Sequence, residues 1–255
     1  MKAIVIGAGR GQRLMPLTAE APKCLAPLAG KPILDWILEA LAGGGLGRPD
    51  VVFVGGYRLP QIRAAYPEFT YFENTGWERN NILASLFCAE PAMEGGFLCS
   101  YADIVYRPLV VQRLMNSSAD ITLAVDTDFR RRYLRRSMHP ESDAEKVRAA
   151  GQQVLEVSRT IPAAEAQGEY IGVARYSARG ANLLREHYHR ARQRYGEGPF
   201  REAPSLRQAY LIHLLQEMLE AGVEMQRVDT HGEYYEIDTT EDYRIAQEEW
   251  NPEEA

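Results

Sequence analysis

Residues 1–23 read MKAIVIGAGRGQRLMPLTAEAPK. An apolar run, KAIVIG, leads directly into a loop with glycines at positions 7, 9 and 11, arginines at 10 and 13, and Pro22-Lys23 at its end. A strand feeding a glycine turn opens the dinucleotide-binding folds, whose fingerprint is G-x-G-x-x-G. Here the third glycine is missing: counted from Gly7 and Gly9 its place is Gln12, and counted from Gly9 and Gly11 it is Leu14. A Walker loop needs Lys and Ser/Thr directly after its last glycine, and neither follows Gly11. NAD, FAD and Walker-type sites therefore fit badly. What the loop does offer is backbone N–H groups at Gly7, Gly9 and Gly11 that can face anionic oxygens. Arg13 adds a guanidinium fork for phosphate oxygens and Lys23 a compact charge for a reacting phosphorus centre. A plain tight turn with solvated basic side chains is the competing reading.

Outward from the loop, short β-rich runs alternate with helical stretches, the pattern of an α/β fold with a largely parallel sheet covered on both faces. Strands are expected near 2–7, 50–55, 69–73, 96–102 and 119–126, with helices in PILDWILEALAGGG and NNILASLFCAEPAM. After residue 126 the alternation weakens, and 127–170 reads as a substrate-binding excursion from the sheet that ends in the strands QVLEVS and EYIGVARYS. Two long helices follow, at about 177–194 and 204–221, the second with Ser205 as its N-cap. The chain then runs through the strand VEMQRVDT and GEYYEID to a helix from about Thr240. With 255 residues, 45% of them hydrophobic, no internal repeat and no low-complexity linker, a single domain over 1–255 is expected.

A net charge of −6 argues against general nucleic-acid binding, which depends on a basic surface. The local exception is Phe129–Ser137, FRRRYLRRS, which reads as a solvated face or as a phosphate or partner contact. Three cysteines at unrelated spacings make neither a disulfide framework nor a metal cluster. No signal-peptide core and no stretch of membrane-span length is present, so a cytoplasmic protein without a membrane span is expected. A homo-oligomer is compatible with the sequence, which does not specify one.

Two carboxylates follow apolar runs. Asp103 ends FLCSYAD, and a carboxylate at the end of a central strand suits Mg²⁺, a hard cation held by one or two carboxylates plus substrate phosphates. Asp238, in YYEIDTTEDY, is either a second such ligand or a helix cap boxed with Glu241.

The pattern Gly9-Arg-Gly-Gln-Arg-Leu-Met-Pro-Leu-Thr18 with Pro22-Lys23, followed by GKPILDWILEAL, resembles the signature loop of the sugar-nucleotide and choline-phosphate nucleotidyltransferases. NTGWERNNILASLF, HPESDAEKV and EYYEIDTTEDY are similar to the subgroup that activates phosphocholine and small phosphonates. The resemblance implies a Rossmann-like three-layer sandwich with a mostly parallel, mixed central sheet. It also implies that Ala8, Gly9, Gly11 and Arg13 hold the triphosphate of CTP, that Lys23 stabilises charge at the α-phosphate, and that Asp103 and Asp238 hold Mg²⁺. Asn81 and Ser85 would read the base. The acceptor, a small phosphate or phosphonate, would be gripped by Lys146, with Arg159 as the second candidate. Trp77, Tyr101, Glu169, Tyr170, Tyr234 and their neighbours Glu233, Tyr235 and Glu236 are candidates for its head group: ring faces would suit a trimethylammonium, carboxylates a primary ammonium. A sugar-1-phosphate nucleotidylyltransferase and a catalytically silent nucleotide-binding relative are the alternatives; the presence of Arg13, Lys23, Asp103 and Asp238 together argues against silence.

Overall fold

A computed structural model describes residues 1–252. In chain order the elements are β1 (Lys2–Gly7), β2 (Pro27–Leu28), β3 (Lys31–Pro32), α1 (Ile33–Gly43), β4 (Val51–Gly55), α2 (Leu59–Ala65), β5 (Thr70–Glu73) and α3 (Ile82–Cys88). Then come β6 (Phe97–Tyr101), β7 (Ile104–Tyr106), α4 (Pro108–Met115), β8 (Ile121–Asp126), α5 (Phe129–Tyr133), β9 (Lys146–Ala150), β10 (Gln153–Ser158) and β11 (Gly168–Tyr176). The last are α6 (Ala178–Tyr195), α7 (Leu211–Glu220), β12 (Gln226–Thr230), β13 (Tyr234–Glu236) and α8 (Thr240–Glu249).

Among the described residues, the main sheet has nine strands in the order β5-β4-β1-β6-β11-β8-β12-β10-β9. β5, β4, β1 and β6 are mutually parallel, and β12 is parallel to β8. β11 enters antiparallel between β6 and β8, and β10 runs antiparallel to both β12 and β9, so the sheet is mixed in its second half. Along β1 the side chains alternate between two cores. Ala3 and Val5 pack with residues of α1, α4 and α8 on one face, and Ile4 and Ile6 with residues of α3, α6 and α7 on the other. That alternation, with both faces apolar and helix-covered, makes the three layers.

Three expectations from the sequence need correction. The excursion is shorter than 127–170, because Lys146–Ala150 already rejoins the sheet by pairing with β10 and with the start of β11. The helix expected at 204–221 begins only at Leu211, and Ser205 makes no side-chain cap bond. The carbonyls of Arg207 and Ala209, which a helix would use internally, accept instead from the N–H groups of Asn81 and Leu83, tying this segment to the start of α3. The arginine run is only partly solvated: the Arg131 side chain is 84% exposed, whereas those of Arg132 and Arg136 are 8% and 2% exposed. Those two guanidinium groups are buried because they carry buried carboxylates with them, Asp126 and Glu169 for Arg132 and Asp242 for Arg136.

Candidate active site

A cavity of about 820 Å³ opens beyond the carboxyl ends of β1 and β6, lined at one end by residues 6–13 of the glycine loop and at the other by residues of β11 and the segments before β9 and α7. The loop is shaped by Gly11, whose φ of 68° lies in the left-handed region and whose missing Cβ leaves room for the Lys23 side chain, 3.0 Å from where that atom would stand. The Thr18 hydroxyl donates to the Gly11 carbonyl at 2.8 Å and closes the turn.

Lys23 is buried, and its ammonium lies 2.9 Å from Asp103 and in hydrogen-bond contact with Asp238. Asp238 also pairs with Arg13, which reaches toward Asp143 at 3.6 Å. A backbone ladder brings these carboxylates together from opposite halves of the chain. β13 pairs antiparallel with β7, and the Ile237 N–H donates to the Asp103 carbonyl at 2.9 Å. Burial alone would lower the Lys23 ammonium, but Asp103 and Asp238 outweigh it and hold the group above the ordinary lysine range. Burial alone would raise Asp238, but Lys23 and Arg13 hold it well below the usual carboxylate range.

The helix cap expected at Asp238 is formed instead by Thr239. Its hydroxyl accepts from the Asp242 N–H at 3.1 Å while the Asp242 carboxylate accepts from the Thr239 N–H at 2.8 Å. This frees the Asp238 carboxylate for the cavity. Glu241 accepts from the N–H groups of Ser137 and Met138 and clamps the arginine-rich segment onto α8. His139, absent from the sequence reading, sits beside this region with Nδ1 3.2 Å from Asp242 and Nε2 3.6 Å from Glu236. His139, Glu236 and Asp238 place one ligand atom each within 4.8 Å of one another. For a hard divalent ion the all-oxygen pair Asp103 and Asp238, already converging on one cationic group, is the better-suited donor set.

The remaining candidates divide. Ala8, Gly9, Asn81, Ser85, Tyr101, Arg159, Glu169, Tyr170 and Tyr234 line the cavity with Trp77. Asn81 and Ser85 are largely engaged within the protein. The Asn81 carbonyl oxygen caps α3 by accepting from the Ile82 N–H, and Ser85 accepts from Asn74, whose amide also pairs with Asn80. Glu169 has both oxygens taken, by Arg132 and the Tyr133 hydroxyl, each at 2.7 Å. Lys146, the first choice for the acceptor phosphate, lies outside the lining. Its ammonium donates to the carbonyl of Glu141 at 3.2 Å, and burial lowers its pKa. Glu233 pairs with Arg113 and Tyr235 with Glu249, both away from the cavity. Strand alternation explains this: Tyr234, Glu236 and Asp238 share one side and Glu233 and Tyr235 the other. The sequence reading also missed Glu145 and Tyr210, which line the cavity from irregular segments that carry no motif.

Residues 3–191 match the MobA-like NTP transferase domain. The chain belongs to this family. Among relatives of this NTP transferase, the CTP:phosphoglutamine cytidylyltransferase of Campylobacter jejuni subsp. jejuni is 28% identical over 96% of this chain and 98% of its own length. The 2-aminoethylphosphonate cytidylyltransferase of Lancefieldella rimae is 35% identical over 40% of this chain and 43% of its own. The fold of the NTP transferase is that of the CTP:phosphocholine cytidylyltransferase from Streptococcus pneumoniae, with a TM-score of 0.71 at 19% identity, covering 98% of this chain and 99% of that one. No helix among the described residues is long and apolar enough to cross a membrane.

Proposed function

We propose that this NTP transferase is a Mg²⁺-dependent cytidylyltransferase that moves CMP from CTP to a small amine-bearing phosphate or phosphonate and releases pyrophosphate. The carrying observation is the buried Lys23 ammonium, held between Asp103 and Asp238 at the mouth of a glycine loop, with Arg13 beside it. The preference for CTP and for small head groups is supported by the cytidylyltransferase relatives, one of them matched end to end.

An acceptor phosphate or phosphonate is already anionic near neutral pH and needs no general base. Its oxygen attacks the α-phosphorus in line, forming the new P–O bond as the bond to the β-phosphate breaks, and pyrophosphate leaves with the electron pair. The barrier is the approach of anions, so positioning and positive charge carry the catalysis. The backbone at Gly9 and Gly11 and the Arg13 guanidinium would hold the β- and γ-phosphates, and Lys23 would face the α-phosphate. Asp103 and Asp238 would hold Mg²⁺, which supplies further charge neutralisation when bound. At the acceptor end Arg159, its guanidinium 3.7 Å from the Tyr210 ring centre, lines the cavity where Lys146 does not and would face the acceptor's head group. The chain would act as a single domain, without nucleic acid, in the cytoplasm.

Pyrophosphate release measured with CTP, UTP, ATP and dTTP against phosphocholine, aminophosphonates and hexose-1-phosphates tests the proposal. CTP with a small amine-bearing acceptor is expected to give the highest rate. Preference for UTP or dTTP with a hexose phosphate would overturn it in favour of a sugar nucleotidylyltransferase.

A further inference from the structure

The acceptor end of the cavity holds one charge pair that its surroundings leave incomplete. Glu145, 7% exposed, stands just before β9, with the Tyr101 hydroxyl at 3.5 Å and Arg159 at 3.6 Å, both beyond a good hydrogen bond. The Arg159 guanidinium lies over the Tyr210 ring, and its buried Nε has no hydrogen-bond partner among the described residues. The Tyr170 hydroxyl, on a side chain that is 2% exposed and lines the same cavity, has none either. Buried groups left in this state are costly unless a ligand completes them.

We infer that the acceptor carries an α-amino-acid head, whose ammonium is taken by Glu145 and whose neighbouring carboxylate is taken by Arg159. This rests on the cytidylyltransferase reading and adds the class of acceptor to it. An ammonium arriving alone at Glu145 would face the guanidinium 3.6 Å from that carboxylate, and a carboxylate arriving alone at Arg159 would face Glu145. A head with both charges on adjacent positions satisfies both groups at once and leaves the Tyr170 hydroxyl within the same polar cluster. A quaternary ammonium fits less well. It has no N–H to donate to Glu145, and a guanidinium already covers a face of two of the lining rings, Arg159 on Tyr210 and Arg132 on Tyr234 at 4.4 Å.

Three phosphonates of matched length separate the contributions: 2-amino-4-phosphonobutyrate carries both groups, 3-aminopropylphosphonate lacks the carboxylate and 4-phosphonobutyrate lacks the ammonium. With CTP and Mg²⁺, kcat/KM for pyrophosphate release is expected to be higher for the first by about 10- to 100-fold over either of the others, as for the loss of one hydrogen-bonded charged group. Glu145→Gln should abolish discrimination against 4-phosphonobutyrate, and Arg159→Gln discrimination against 3-aminopropylphosphonate, each leaving CTP binding unchanged. Equal use of the three phosphonates by the wild-type protein, or a preference for phosphocholine, overturns the inference while cytidylyl transfer stands, and this comparison needs no variant. If CTP supports transfer to no acceptor, the functional proposal fails. Calorimetric titration of the same three compounds then decides this inference, which stands on tighter binding of the amino-acid phosphonate and falls on equal binding.

Discussion

At the loop end of the cavity, Arg13 and Lys23 come from one continuous stretch and meet two carboxylates delivered by the β7–β13 ladder. At the acceptor end, Tyr101, Glu145, Arg159, Tyr170 and Tyr210 come from five separate places in the chain. The loop end is closely paired, with Lys23 within 2.9 Å of Asp103 and bonded to Asp238. At the acceptor end the contacts of Glu145 are 3.5 and 3.6 Å. Charge pairs within the protein preset the first end, whereas the second keeps buried polar atoms, the Arg159 Nε and the Tyr170 hydroxyl, without a hydrogen-bond partner among the described residues.

If the loop end carries the chemistry, Lys23→Ala should have the largest effect, a loss in kcat of roughly 10³- to 10⁵-fold, as for other cations that act on a transferring phosphoryl group. Circular dichroism should show the fold retained, and near-normal turnover would remove Lys23 from its role. Arg132→Met tests how the wall behind the acceptor end is supported. It leaves Asp126 and Glu169 buried without their cation and should cost about 3 kcal/mol or more in denaturant unfolding.

Glu145 tests the looseness of the acceptor end through pH. Burial pushes its carboxyl up to about 7, with Glu169 adding repulsion, against the opposing effects of Arg159 and of a weak hydrogen bond from the Tyr101 hydroxyl. A carboxyl raised above its unfolded value binds its proton more readily in the native state. Its contribution to stability is therefore full below the unfolded value, about 4.3, and is lost as pH rises toward 7. Glu145→Gln should flatten that decline by up to about 2–3 kcal/mol, read from melting temperatures across the interval; an unchanged pH profile would show Glu145 to be solvated. Asp103→Asn should raise the Mg²⁺ concentration needed for half-maximal activity by about ten-fold, or about 1.4 kcal/mol. Arg131→Ala, in the same arginine run as Arg132, should change stability by no more than about 0.5 kcal/mol; a loss comparable to that of Arg132→Met would mean that the exposed arginines also hold the wall.

Legibility in the sequence follows the same division. The β1 strand, its glycine loop, Lys23 and Asp103 were readable because each lies in a contiguous run whose pattern has a local cause: an apolar strand, a left-handed turn at Gly11, a carboxylate at a strand end. Asp238 was readable as a carboxylate with two competing uses, and the Thr239–Asp242 cap decides between capping and the cavity. The same spacing could have been found in TTED, since Thr239 and Asp242 stand at the N-cap and third helical positions. Strand parity could likewise have separated Tyr234 and Glu236 from Glu233 and Tyr235. No local signal distinguished Lys146 from Arg159, or Arg132 from Arg131, because these neighbours differ only in what the rest of the chain places against them.

The sequence by itself thus determined the α/β class and the glycine loop with its two cations, because an apolar strand, a glycine turn and the basic residues that follow it all lie in one contiguous run. Only the tertiary structure decided which groups line the other end of the cavity. β11 runs antiparallel between β6 and β8, β9 returns to pair with it, and the segment before α7 is drawn onto α3 by backbone bonds. A side chain's surroundings at that end are set by pairings between residues far apart in sequence, and no window of the sequence contains both partners.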